Sequence, residues 1–300
     1  MRLVLQGRAI QPAHLQHIHS LLGLNTQYLQ IAQYAYYLPV HTEKVNNVPI
    51  QSATMADMHV NQSNIIATIK TFCTEQQIDC ATVPDNQRIS QFGLCVMDMD
   101  STLINIECID EIADMLHIKP KIAAITEAAM RGELDFAQSL RQRVALLKGL
   151  PETKLQQVID ERLQLNPGTA AWIATCRANN IKTMVVSGGF TLFAHHVKNL
   201  LGLDYAVANT FEIIDGKLTG NIVGDIVDAD RKALELLILR DELGLKADQT
   251  IAIGDGANDL KMMAVAAVGV AYHAKPIVQV QATYALNFNG LDGVTNLFIA

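Results

Sequence analysis

The chain has 300 residues, half of them hydrophobic and 18% charged, with a formal net charge of −7. These values exclude a disordered chain, a collagen-like chain and a small disulfide-stapled scaffold, and the acidic balance argues against a nucleic-acid or membrane-surface binder. In chain order, Leu3–Leu5 reads as a strand, Ala13–Leu22 as a helix, Leu29–Leu38 as strand, Ile65–Phe72 as a helix and Cys80–Val83 as a further strand. This pattern predicts a small α+β domain over residues 1–84. The polar, proline-bearing run 84–88 reads as a linker into a second domain over 85–300.

From Phe92 the pattern changes to short apolar runs without polar alternation, at 94–97, 183–186, 251–253, 268–271 and 284–288. Such runs suit parallel strands covered on both faces and predict a doubly wound α/β sheet. Residues of about 107–165 are rich in helix formers and read as a helical cap inserted over that sheet. Asp215-Gly216, at the centre of 212–223, predicts a tight β-hairpin. Five cysteines, an odd number without a CxxC pair, fit neither a disulfide framework nor a zinc cluster. The first residues hold no signal-peptide run. The most apolar stretch, 262–272, has 11 residues and falls short of the ~20 that span a bilayer. A cytoplasmic protein is therefore expected.

Four polar clusters follow predicted strands or open a helix, where ligands of open α/β sheets bind. Asp98 and Asp100 stand at i and i+2 just past a buried strand. Two adjacent carboxylates repel there unless a cation compensates, and Mg²⁺ suits such oxygen ligands. The pair also divides into a nucleophile and a general acid/base, the latter needing a raised pKa. A calcium EF-hand loop is disfavoured because Leu103 occupies the position that needs glycine. Ser187-Gly188-Gly189 offers a hydroxyl and backbone N–H groups to an anion at a helix N-terminus. Lys232 would neutralise a phosphoryl group and an attacking carboxylate. Asp255, Asn258 and Asp259, in the glycine-flexed loop 254–259, suit a hard cation. Each cluster taken alone has an ordinary counterpart: a solvated turn or helix cap, a strand-to-helix turn, a surface lysine, a polar loop.

Taken in order, the clusters resemble the motifs of the haloacid dehalogenase superfamily: DxDx[TV] at 98–102, Ser187, Lys232 and the acidic GDxxxD loop at 254–259. The run Asp100-Ser101-Thr102-Leu103-Ile104-Asn105-Ile106-Glu107, with Met130 through Gly132, Phe136 and 139–144, is similar to the phosphoserine phosphatase family. The resemblance spans about residues 90–290. It implies a phosphomonoester hydrolase acting in two steps on O-phospho-L-serine, the last reaction of serine biosynthesis. Asp98 would attack phosphorus, and Asp100 would serve as acid and then base. Mg²⁺ would sit on Asp98, the Asp100 carbonyl and Asp255, supported by Asp259. Ser187, the Gly188 N–H and Lys232 would hold phosphate oxygens. In the cap, Glu107 would pair with the ammonium and Arg143 would hold the carboxylate in a fork. Met130 and Phe136 would wall the cavity, and Asn258 would add a polar contact.

In this family, segments such as 1–84 resemble the amino-acid-binding ACT fold. Serine binding and homodimerisation are the two expectations for that part. His14, His17 and His19 lack a carboxylate or cysteine to complete a metal set, and Trp172 reads as core. Two alternatives stay open: another small phosphomonoester or a serine-accepting transferase with the same chemistry, and a non-catalytic amino-acid sensor.

Overall fold

In the computed structural model, residues 1–23, 28–32, 35–39 and 55–299 are described. The chain opens with β1 (Arg2–Gln6), α1 (Pro12–Leu22), β2 (Leu29–Ala32), β3 (Ala35–Pro39), α2 (Met55–Glu75) and β4 (Asp79–Val83). The four strands form one antiparallel sheet in the order β2-β3-β1-β4. The run expected as one strand over 29–38 is two antiparallel strands, because Leu29 and Gln30 turn back to face Tyr37 and Tyr36; residues 33–34 lie outside the described part. The helix expected at 65–72 extends to Met55–Glu75.

Alternation along β1 sends its side chains to two different cores. Leu3 and Leu5 pack with Leu15, Ile18, Ile69 and Cys73 of the two helices. Val4, with Ala81 and Val83 of β4, joins the large core of the rest of the chain. Segment 84–88 is tied down where a linker was expected. Gln87 Nε2 donates to the Leu297 carbonyl at 2.9 Å, the Ile299 N–H donates to Gln87 O at 2.9 Å, and Tyr284 Oη donates to Gln87 Oε1 at 3.0 Å.

The second sheet starts at β5 (Leu94–Met97). Four helices follow: α3 (Cys108–Met115), α4 (Lys119–Met130), α5 (Phe136–Ala145) and α6 (Glu152–Arg162). They occupy the segment expected as a helical insertion. Then come α7 (Thr169–Ala178), β6 (Lys182–Phe190), α8 (Thr191–Leu201), β7 (Tyr205–Ile214), β8 (Lys217–Val223) and α9 (Ala229–Glu242). The chain ends with β9 (Thr250–Gly254), α10 (Leu260–Val265), β10 (Val268–Tyr272), α11 (Pro276–Gln281), β11 (Tyr284–Leu286) and a 3₁₀ segment, Leu291–Leu297.

The sheet order is β11-β10-β9-β5-β6-β7-β8, parallel except for the last pair. The sheet has two more strands than the apolar runs predicted. The hairpin at 215–216 is present, but its first arm begins at Tyr205 and pairs in parallel with β6 through 205–209. Alanines and Asn209 kept that arm from reading as an apolar run. On one face Cys95, Met97, Val185, Ile251 and Ile253 meet α7 and α8; on the other, Leu94, Val96, Met184, Val186 and Ala252 meet α9 and α10. Burial on both faces is why these strands carry no polar alternation. The chain leaves β5 to build β6 on one side and returns to build β9 on the other. The carboxyl ends of β5, β6 and β9 therefore meet at the topological switch point.

Candidate active site

Three strand ends deliver the predicted clusters to one place. Asp98 follows β5, and its N–H donates to Ile253 O of β9 at 2.9 Å. Ser187 lies near the end of β6, where the ladder with β7 is irregular between Ser187 and Phe190. Asp255 follows β9, and Asp259 closes its loop by accepting from the Gly256 N–H at 3.0 Å.

Lys232 connects these segments. It lies in the first turn of α9, which begins at Ala229, earlier than the helical run at 233 suggested, with Asp228 capping through the Arg231 N–H at 2.9 Å. The Lys232 side chain is fully buried. Its Nζ stands 2.7 Å from Asp98 Oδ1 and donates to Asp259 Oδ1 at 2.8 Å. Burial alone would depress Lys232, but Asp259 and Asp98 outweigh it and hold the ammonium above its ordinary range. Asp98, Asp255 and Asp259 bring carboxylate oxygens within 4.8 Å of one another. Three carboxylates against one ammonium leave two negative charges in a buried place. The charge strain is visible in the acids: burial, then Asp259, push Asp98 well above the carboxylate range against the pull of Lys232. Burial, then Asp259 and Glu107, raise Asp255 to about 6.

Asp100 is set apart from this cluster. It takes two bonds from Cys108 at the start of α3, from Sγ at 3.0 Å and from the N–H at 3.4 Å. Burial, then the nearby Glu107, raise it to about 7, and the Cys108 bonds oppose the shift only in part. A carboxyl titrating there can give or take a proton near neutrality.

Above the acids lies a cavity of about 460 Å³. Asp98, Asp100, Glu107, Met130, Phe136, Arg143, Ser187, Gly188, Asp255 and Asn258 all line it, so core and cap contribute together. Lys232 and Asp259 are not among its lining and stand behind Asp98. Arg143, on α5, has its Nε buried without a partner, and burial lowers its pKa although Asp110, Glu107 and Asp100 face it. Glu107 is exposed and accepts from Ser101 Oγ at 2.7 Å. Phe136 reaches the core: a Cβ at Gly188 would stand 3.0 Å from Phe136 Cζ. That close approach explains the glycine. Met130, the last residue of α4, lines the cavity and is 76% exposed.

Thr102, which closes the motif at 98–102, donates to Asp255 Oδ1 at 3.1 Å. Another contributor had no motif to reveal it. Buried Asn209 donates to Gly188 O at 2.8 Å and accepts from the Val227 N–H at 2.9 Å, joining the Ser187 turn to the segment that leads to Lys232. An asparagine in a strand run carries a sequence signal only as a polar break in an apolar stretch.

The family profile of the haloacid dehalogenase-like hydrolases matches residues 95–264. The phosphoserine phosphatase of Haemophilus influenzae is 49% identical over 258 residues, covering 83% of this chain and 82% of that protein. The crystal structure of a probable phosphoserine phosphatase from Vibrio cholerae, in unliganded form, superposes with a TM-score of 0.78 at 38% identity, covering 99% of this chain and 85% of the other. A solved phospho-aspartyl intermediate analogue of phosphoserine phosphatase gives a TM-score of 0.65 at 38% identity over 69% of this chain and 99% of the other. The chain belongs to the haloacid dehalogenase-like hydrolases and, within them, to the phosphoserine phosphatase family.

Proposed function

We propose that this member of the family hydrolyses O-phospho-L-serine to L-serine and phosphate, through an aspartyl-phosphate (an acyl phosphate) at Asp98, as the closing step of serine biosynthesis. The observation that carries the reading is the meeting of Asp98, Lys232, Asp255 and Asp259 beneath a cavity that also holds an unpartnered, buried Arg143 Nε. Asp98 and Arg143 line one and the same space.

The residues fit a divalent cation. All donors are oxygens, and the net charge of the buried cluster is balanced by two positive charges. Asp98, Asp255 and the Asp100 carbonyl would hold Mg²⁺, with Asp259 in support; the ion supplies neutralisation of phosphoryl oxygens. The chain's own groups do the rest. Lys232 favours the ionised form of Asp98 against burial and Asp259, and an Asp98 oxygen forms the new bond to phosphorus as the bond to the serine oxygen breaks. Asp100 delivers its proton to that leaving oxygen. In the second step Asp100 takes a proton from water, the water oxygen bonds to phosphorus, and the Asp98 acyl phosphate is broken. Ser187 Oγ and the Gly188 N–H lie where phosphate oxygens are received. Arg143 takes the substrate carboxylate, Glu107 its ammonium, and Phe136, Met130 and Asn258 complete the walls.

The test is phosphate release from phosphoserine with and without Mg²⁺, in wild type and Asp98→Asn. Turnover should need the ion. It should fall by at least about 10³-fold in the variant, whose circular dichroism stays that of wild type. Retained turnover in Asp98→Asn rejects the nucleophile; release from other phosphomonoesters but not phosphoserine rejects the substrate.

We also take residues 1–84 and 85–300 as two units within a cytoplasmic protein, with the cap at about 107–165. The first unit serves as a regulatory or dimerisation element. Its β-α-β-β-α-β order in an antiparallel sheet supports an ACT-like role. Serine calorimetry and sedimentation of the full chain test the two functions.

A further inference from the structure

The backbone from Ser101 to Ile104 joins the two aspartates to Glu107, and its geometry is demanding. Ser101 sits at φ 56°, a left-handed conformation that a non-glycine residue adopts only when its surroundings impose it. The amides of 102, 103 and 104 all turn inward to Met99 O, at 3.3, 2.9 and 3.1 Å. The four carbonyls of 101–104 therefore need donors from elsewhere.

All four are met from one corner, between α6 and α7. Asn166 Nδ2 donates to Ser101 O at 3.1 Å, Thr102 O at 2.9 Å and Ile104 O at 3.0 Å. The Asn166 backbone N–H donates to Leu103 O at 2.9 Å, and Thr169 Oγ1 donates to the same oxygen at 3.3 Å. The clamped segment carries Thr102, which holds Asp255, and Ser101, which holds Glu107.

We propose that Asn166 is a positioning residue for phosphoryl transfer. Its single amide fixes the loop that leads from the reacting acids Asp98 and Asp100 to Glu107, and no substrate contact is involved. The inference rests on the phosphatase reading above. Two N–H bonds serving three carbonyls is a task that neither an aspartate nor a leucine of similar shape can do. Aspartate turns an acceptor on the same three oxygens, and leucine leaves them unpaired. The loop then relaxes, and displacement by about 1 Å at a reacting group costs up to about a hundredfold in rate.

The experiment compares wild type, Asn166→Asp and Asn166→Leu in steady-state kinetics with Mg²⁺. Phosphoserine and para-nitrophenyl phosphate are both used, at a temperature where circular dichroism shows each protein fully folded. The expected result is a kcat lower by about ten- to a hundredfold on both substrates, with KM within about threefold of wild type. A purely stabilising role would move the melting temperature and leave the kcat of folded enzyme in place. Unchanged kcat in a folded variant, a change confined to KM, or failure of both variants to fold overturns the proposal. Should wild type hydrolyse the aryl phosphate alone, the phosphoserine reading fails, and kcat on the aryl ester still decides the role of Asn166.

Discussion

At the scale of single residues, the site works through unequal environments for similar groups. Asp98 and Asp100 are two residues apart, yet only Asp98 touches Lys232, and Asp100 is left to Cys108 and the repulsion of Glu107. In the proposed reaction this difference suits one carboxyl to attack and the other to proton transfer. Arg143 has the opposite problem, a charge drawn out of water with Nε unpaired. On the proposed reading a substrate carboxylate would repair that deficit. Arg143→Ala should raise KM for phosphoserine by about tenfold or more, the worth of a charged hydrogen bond, and raise it much less for phosphoethanolamine. Equal rises for the two esters, measured side by side, would remove the carboxylate clamp.

Between elements, the contact that matters most is that of α5 with the end of β6. Phe136, the first residue of α5, touches the turn at Gly188 so closely that no Cβ fits without displacement. Gly188→Ala should push the cap helix off the core and lower kcat/KM by about tenfold. Adding Phe136→Ala should recover part of the loss, because the clash is then gone. Strictly additive losses in the double variant would mean that the two residues act apart.

Over the whole molecule, the two sheets share a core and a polar latch. Asp79 of β4 accepts from the N–H groups of Asn287, Phe288 and Asn289 at 2.6, 3.2 and 3.0 Å, and from Asn289 Nδ2 at 2.7 Å. Asp79→Ala would strand those donors and should cost about 2–4 kcal/mol in urea denaturation. A loss below about 0.5 kcal/mol would show the latch to be idle. Charge in the active site sets a second global property. Asp100 and Asp255 are raised to about 7 and about 6, so between pH 4 and 7 these two groups hold more protons in the folded chain than in the unfolded one. Metal-free protein should therefore lose stability as pH rises through that window. Mg²⁺ should raise the melting temperature more at pH 8 than at pH 5, and calorimetric scans in chelator and in Mg²⁺ measure both effects. A metal-free protein that gains stability from pH 5 to 8 contradicts the assignment.

By itself the sequence determined the class of fold and the reacting groups. Strands buried on both faces must be continuously apolar, and the acids at their ends then stand out at 98–100 and 254–259. Ser187, Lys232, Arg143 and Phe136 stood out only through the resemblance to the family, not through spacing alone. Hidden were the features that exist only across distance. A lysine on a helix reads as surface until α9 is seen to aim it between Asp98 and Asp259. Asn166 and Asn209 are ordinary polar residues whose worth lies in partners far along the chain. The join of the two sheets through Val4, Asp79 and Gln87 followed no periodicity, since a strand with one face on each of two cores looks like any buried strand. Local pattern records what a segment must bury; only the folded chain decides which neighbour it is buried against.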